Sequence, residues 1–422
     1  MGATTPFATG ITRPGSLRWL HCLALLAVAA GPGGLHAGGT PPLREIELPG
    51  RPVGVVVTPD QQWIFVSLVG AGRQRPGIAV LENRAGRVDL ARTVGMDSSP
   101  TGIVLSRDGT MLIAAAGDEV VFLDTGRLES GKGDAAFQWL QRESGAGCIN
   151  VNVTPDDRTL FVSEERERAI TVVNLDAIRA LGRESSRNWR RRDDRAGPAA
   201  AVVGSIPTGN APIALTFSPE GRWLFTTCEV AAPEWNWPRT LARETGPGAG
   251  RVPEGAVVVV DVPRARTDPP HSVVARVPAG GSTVRAALAP DGARLFVTAR
   301  NSDAVLVFAT ADLTAAAGRA KPVVIPVGRS PVPVVVTADG RFALVGNSNR
   351  FGADATRRST LSVLDTARIG TAANPVIGRI PCGAFPREFC LAPDGRTLFL
   401  TDFQSDSLDV IDTARLGELV TK

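Results

Sequence analysis

One pattern of apolar and polar positions recurs along the chain from residue 44 to residue 416. An apolar run of five or six residues meets a tight turn built on Pro-Asp-Gly or a variant of it. A second apolar run follows, then a polar loop, then a third run that often ends in Asp-Thr. The turns are Pro59-Asp60, Asp108-Gly109, Pro155-Asp156, Pro219-Glu220-Gly221, Pro290-Asp291-Gly292, Asp339-Gly340 and Pro393-Asp394-Gly395. Their acidic positions are separated by 48, 48, 64, 71, 48 and 55 residues, so a base period of 48 carries insertions in three intervals. Val, Ile, Leu, Phe and Thr dominate the runs, as in Val53–Thr58, Trp63–Leu68 and Ile78–Leu81, while glycine and proline punctuate them. That chemistry and that length predict strands.

A fourth short strand precedes each copy, as in Val203–Pro207 and Val323–Pro326. Four strands per copy and a period near 48 predict blades in a closed ring. The expected fold is therefore all-β: a seven-bladed β-propeller of four-stranded antiparallel blades. The last copy stops after its third strand, Leu408–Ile411, and the first is preceded by a lone strand, Arg44–Leu48. The lone strand is expected to complete the last blade and close the ring, because an open sheet edge would otherwise remain.

Three phrases carry a family resemblance: Ile325-Pro326-Val327-Gly328 with Pro331, Pro393-Asp394-Gly395-Arg396-Thr397-Leu398-Phe399, and Leu408-Asp409-Val410-Ile411-Asp412-Thr413. The repeat resembles the YVTN-type β-propeller repeat, a WD40-like repeat, and the chain resembles YncE-like proteins over residues 44–416. The resemblance implies an exported bacterial propeller. Relatives in the wider superfamily include subunits beside quinone-dependent dehydrogenases and, more distantly, propellers that hydrolyse lactones.

The first residues read differently. Arg13 and Arg18 precede a short apolar run, Leu20–Ala30, and Leu35-His36-Ala37 has the small residues of a cleavage site. A cleaved signal peptide over 1–37 is expected, followed by a single propeller domain over 38–422; the alternative is an uncleaved anchor. Export to the periplasm or the medium follows. Removing Arg13 and Arg18 leaves a net charge of +2, which gives nucleic acid no support as a partner. No later segment is apolar enough to span a bilayer. Cys148, Cys228, Cys382 and Cys390 remain in the mature chain. They are too few for a disulfide framework, and Cys148 with Cys228 is the one pair whose placement suits a bridge.

The mature chain has one histidine beyond the cleavage region, His271, and no tyrosine. A histidine-ligated metal site, a Ser-His-Asp triad and a histidine acid/base are therefore hard to build. No metal, cofactor or catalytic residue is expected, and a monomer is the expected state. The turn aspartates suit tight turns, and Asp124, Asp261, Asp365 and Asp412 recur at third-strand ends for equally structural reasons.

Aligned inner strands act as their own control. The first column reads Val53, Thr101, Ile149, Ile213, Val284, Val332, Arg387. The second reads Gly54, Gly102, Asn150, Ala214, Arg285, Pro333, Glu388, and the third is apolar throughout. With strict alternation the first and third columns share a face. Asn150, Arg285 and Glu388, with Arg387 beside them, then stand out as polar residues at the mouth of the central channel. The longest loops between second and third strands fall on the same side, in blades 4, 6 and 1. They carry Trp235, Trp237, Arg239, Arg350, Phe351, Arg357, Arg358, Arg73 and Arg75.

Arginine with tryptophan suits a protein hot spot or a small anionic or aromatic ligand. Two plainer readings stand beside this: Arg285 and Glu388 pair with each other, and the tryptophans fold their loop onto the blade. A basic stretch, Arg183–Arg195, falls on the opposite face. The preferred function is an exported, non-catalytic binding or scaffold propeller, accessory to a redox or catabolic system. The alternative is a lactonase-like hydrolase or a quinoprotein dehydrogenase subunit.

Overall fold

The computed structural model describes residues 41–70, 74–182, 197–237, 239–243, 250–315, 320–350 and 358–421. The expected signal peptide, Arg73, Phe351, Arg357 and the Arg183–Arg195 stretch lie outside the described residues.

Seven antiparallel sheets form the blades of a β-propeller. Blade 1 has the common pattern: an inner strand Arg51–Val57, then Trp63–Val69, Gly77–Arg84 and the outer strand Arg87–Gly95, each paired with the next. Blade 4 departs most. Its third strand, Gly250–Asp261, runs past the blade and pairs with Thr240–Arg243, so the long loop there is partly a hairpin. Blade 7 is completed from the other end of the chain. Leu43–Glu47 pairs antiparallel with Ser407–Asp412, in a register from Leu43↔Ile411 to Glu47↔Ser407. Closure by the N-terminal strand is as the sequence predicts. The core lies between successive blades. Val55, Ile64 and Val66 of blade 1 pack against Phe399, Leu408 and Val410 of blade 7, so apolar burial also closes the ring.

The inner strands correct one expectation. In six blades a bulge interrupts the pairing of the first two strands, between Pro52 and Val55 in blade 1 and between Thr283 and Ala286 in blade 5, for example. In blade 4 the inner strand divides into Asn210–Pro212 and Thr216–Phe217. A bulge takes residues out of register and breaks the alternation of side chains. The first and third columns therefore do not share a face by simple alternation.

Second-strand hydroxyls serve the bulges. Gly54 N donates to Ser67 Oγ (2.8 Å), Arg285 N to Thr298 Oγ1 (3.0 Å) and Glu388 N to Thr401 Oγ1 (3.0 Å). The same hydroxyls donate onward to the next blade: Ser67 to Thr101 O (2.5 Å), Thr298 to Val332 O (2.9 Å), Thr401 to Val53 O (2.9 Å). The last of these crosses the ring closure. Two blades lack the hydroxyl and solve the problem otherwise. In blade 2, Thr101 itself donates to Ile149 O (2.9 Å). In blade 6, Pro333 has no N–H to satisfy, and a Cβ on Gly346 would lie 2.6 Å from the Pro333 ring.

The recurrent carboxylates are structural. Asp60, Asp108, Asp156 and Asp339 each accept the hydroxyl of the Ser or Thr two residues earlier, at 2.5–2.6 Å. Asp124, Asn174 and Asp261 each cap the short helix that follows the third strand. All four described cysteines are free thiols, which removes Cys148 and Cys228 as a bridged pair.

Candidate functional site: an arginine-lined channel mouth

Five inner strands are entered through a residue with positive φ: Gly147, Ala211, Ser282, Ser330 and Phe385. Glycine takes that conformation freely, but phenylalanine at φ 58° holds strain of about 1–3 kcal/mol. The surroundings hold Phe385 there. Its ring packs with Ile213, Val284 and Val332 in a buried cluster at the inner edge of blades 4 to 7. Phe403 meets it edge-on at 5.4 Å between centroids. The guanidinium groups of Arg350 and Arg387 lie 5.2 and 5.7 Å from its centre.

Charge gathers around this ring. Arg285 Nε meets Glu388 Oε2 at 2.7 Å across the mouth, from blade 5 to blade 7. Arg300 Nη2 lies 2.7 Å from Glu229 Oε2 and donates to Ser282 Oγ at 2.8 Å. Among the described residues Arg387 forms no ion pair, and its buried Nε has no hydrogen-bond partner. Burial pulls its pKa down to about 10, and Arg285, then Arg350 and Arg300, add repulsion against the opposing pull of Glu388. Desolvation lowers the Arg350 pKa as well. Four arginines thus face two glutamates, and Arg387, half-buried, is the one whose Nε is left unserved.

The structure brings Arg285, Arg350, Arg387 and Glu388 together. Arg300, Glu229 and Phe385 belong to the same mouth and were not singled out in the sequence. Arg285 with Glu388 takes the plainer of its two readings and pairs. Asn150 takes a structural role. Its Nδ2 donates to Ile213 O (3.1 Å) and its Oδ1 accepts from Val151 N (3.0 Å), so its amide joins blade 3 to blade 4. Asn152 repeats that bond to Leu215 O (2.6 Å). Trp235 and Trp237 meet at 5.6 Å between ring centroids, tilted by 38°, and pack on the core of blade 4, with Arg276 over Trp235. They fold their loop onto the blade. Arg358 is held by Glu45 of the closing strand at 2.7 Å, and Arg239 lies 3.5 Å from Glu254. His271 is exposed and pairs with Asp268 at 2.8 Å.

A second polar cluster, outside the mouth, also escaped the sequence. At the end of the second strand, blade 3 has Glu164, blade 6 Asn347 and blade 7 Asp402. Glu164 accepts from Arg142 (2.5 Å) and Thr171 (2.8 Å). Asn347 donates to Ser362 (3.0 Å). Asp402 faces Asp409, both are fully buried, and the Gly383 N–H beside them makes no well-formed hydrogen bond to either, although it pulls both pKa values down. Two ionised carboxylates cannot donate to each other, so the arrangement favours a pair that keeps one proton between them. Burial, then repulsion from Asp409, pushes the Asp402 pKa well above the usual range, and burial raises that of Asp409. No arginine fits as in blade 3, because Gly383 closes over the pair: a Cβ there would lie 2.5 Å from Asp402 Cβ. The signal was in the aligned repeats, where Asp402 and Asp409 replace a Glu–Thr and an Asn–Ser pair.

Among the described residues, no group of three or more His, Cys, Asp or Glu side chains could hold a metal ion. No helix there is long and apolar enough to cross a membrane.

No family model matches the chain. A 6-phosphogluconolactonase of Enterobacter sp. (strain 638) is 28% identical over 134 residues, 31% of this chain and 38% of that protein. The match thus spans well under half of the curated relative's length. Among solved structures, a chain of Kuenenia stuttgartiensis hydrazine synthase superposes with a TM-score of 0.61 at 17% identity, covering 90% of this chain and 99% of that one. At that identity the likeness shows the propeller fold alone.

Proposed function

We propose that this chain is an exported, non-catalytic propeller that binds an anionic ligand at the arginine-lined mouth. The observation that carries the reading is Arg387, a half-buried cation with no ion-pair contact among the described residues and an unserved Nε, beside three further arginines and a strained aromatic ring. A charge left in such a place is costly unless a partner meets it. Guanidinium groups converging on one opening suit a carboxylate or phosphate, which each can hold through two hydrogen bonds. Both glutamates at the mouth already face arginines, so neither offers a ready general base. Export rests on the first 37 residues, and amino-terminal sequencing of protein from the producing cell tests it. A chain beginning at Met1 in the cytosol would contradict it.

One observation favours a second reading, hydrolysis: the partial likeness to a 6-phosphogluconolactonase. The same mouth would then hold the anionic end of a lactone. Incubation with 6-phosphogluconolactone separates the two. Binding without turnover supports the non-catalytic reading, and turnover lost in Arg387→Ala supports the hydrolase.

A further inference from the structure

A slot of about 440 Å³ lies on the perimeter between blades 1 and 2, away from the channel. That volume is in the range of small-molecule sites. It forms where the outer strand of blade 1 ends, beside the third strand of blade 2, Glu119–Asp124. Glu119 and Val121 alternate onto the slot side of that strand. Trp139 and Met96, both half-buried, supply a broad polarizable wall with Val121.

Among the described residues the charge on the lining has one sign: Asp97, Glu119 and Asp134 are the ionisable groups, although the chain has 46 Lys and Arg against 42 Asp and Glu. Glu119 is 8% exposed. Its Oε1 accepts from Ser98 Oγ at 2.7 Å. Its Oε2 accepts no hydrogen bond among the described residues. A carboxylate set in the slot wall, with one oxygen open to the slot beside an aromatic and a thioether, suits a donor that carries positive charge.

We propose that this slot binds an organic ammonium ion, with the charged nitrogen at Glu119 and the hydrocarbon body against Trp139 and Met96. The cation has two sources of the same chemistry, a free amine or the lysine side chain of a partner. The site is independent of the channel mouth, and arginine chemistry there does not bear on it.

Calorimetric titration of the whole chain tests the proposal with four probes: benzylammonium, blocked lysine (Nα-acetyl-lysine amide), and the neutral and anionic analogues benzyl alcohol and benzoate. At least one cation is expected to bind saturably, at least tenfold more tightly than the alcohol, with no binding of benzoate at this slot. Tighter binding of benzylammonium supports a free amine; tighter binding of blocked lysine supports a protein side chain. Glu119→Gln keeps the bond from Ser98 and should weaken the cation at least tenfold without changing the melting temperature. Asp97→Asn, in an exposed loop, should weaken it less and serves if Glu119→Gln does not fold. Equal affinity for the alcohol, no loss in either variant, or no saturable binding of both cations would overturn the proposal.

Discussion

The raised pKa values of Asp402 and Asp409 make stability depend on pH in a defined direction. Both carboxyls have raised pKa values in the folded chain, while in the unfolded chain aspartates lose their protons near pH 4. The folded state therefore keeps a proton that the unfolded state releases. The stability is fully present below about pH 4 and is lost as pH rises toward the raised values of the pair. The groups facing the pair are the Gly383 N–H, Glu45 on the closing strand, Arg358 bound to Glu45, the Cys382 thiol of blade 6, and Ser407. None supplies a buried cation held against either carboxylate. One retained proton corresponds to a slope of about 1.4 kcal/mol per pH unit. The perturbation is Asp402→Asn with Asp409→Asn, two amides that can bond to each other as Asn347 does to Ser362. Urea unfolding of both proteins between pH 4.5 and 8 gives the comparison, with m-values checked for constancy. The double variant should match wild type near pH 4.5 and become relatively more stable with rising pH, by that slope, until the pair ionises. Parallel stability curves would refute the shared proton, because every other titrating group is common to both proteins.

Two further predictions test the ring. A chain beginning at Leu48 loses the Leu43–Glu47 strand with its five paired positions and the Arg358–Glu45 bridge. It should lose several kcal/mol of stability, and an unchanged melting temperature would contradict closure by that strand. Thr298→Val removes the hydroxyl that serves both Arg285 N and Val332 O. Leaving those buried groups unserved should cost about 1–3 kcal/mol in denaturant unfolding, whereas an effect near zero would show that the bulge satisfies them otherwise.

The fold was legible because seven copies repeat one message, and even the completion of blade 7 followed from a missing strand in the last copy. The site was legible only in part. The column comparison located the mouth through Arg285, Arg387 and Glu388, yet it assumed strict alternation along the inner strand. The bulge broke that assumption and turned Asn150 from a ligand candidate into a link between blades. The clue to the bulge was the hydroxyl column Ser67, Ser163, Thr227, Thr298 and Thr401, with Ala115 and Gly346 as its exceptions. Arg300 and Glu229 sit just outside the aligned columns, at strand ends where repeat position does not determine which neighbours meet. The strain at Phe385 has no sequence signature, since it arises from the packing that holds the ring.

The central claim is that the mouth binds an anion through Arg387. Titration of the propeller with 6-phosphogluconate, a carboxylate and a phosphate in one probe, tests it most directly when wild type is compared with Arg387→Ala. Arg387 is the better target than Arg285, whose removal would strand Glu388. The account predicts saturable binding by wild type, weakened by added salt, and a loss of about 1.5–3 kcal/mol in the variant with no loss of stability. Equal binding by both proteins, or binding that survives in Arg387→Ala and disappears when Arg183–Arg195 is neutralised, would contradict it.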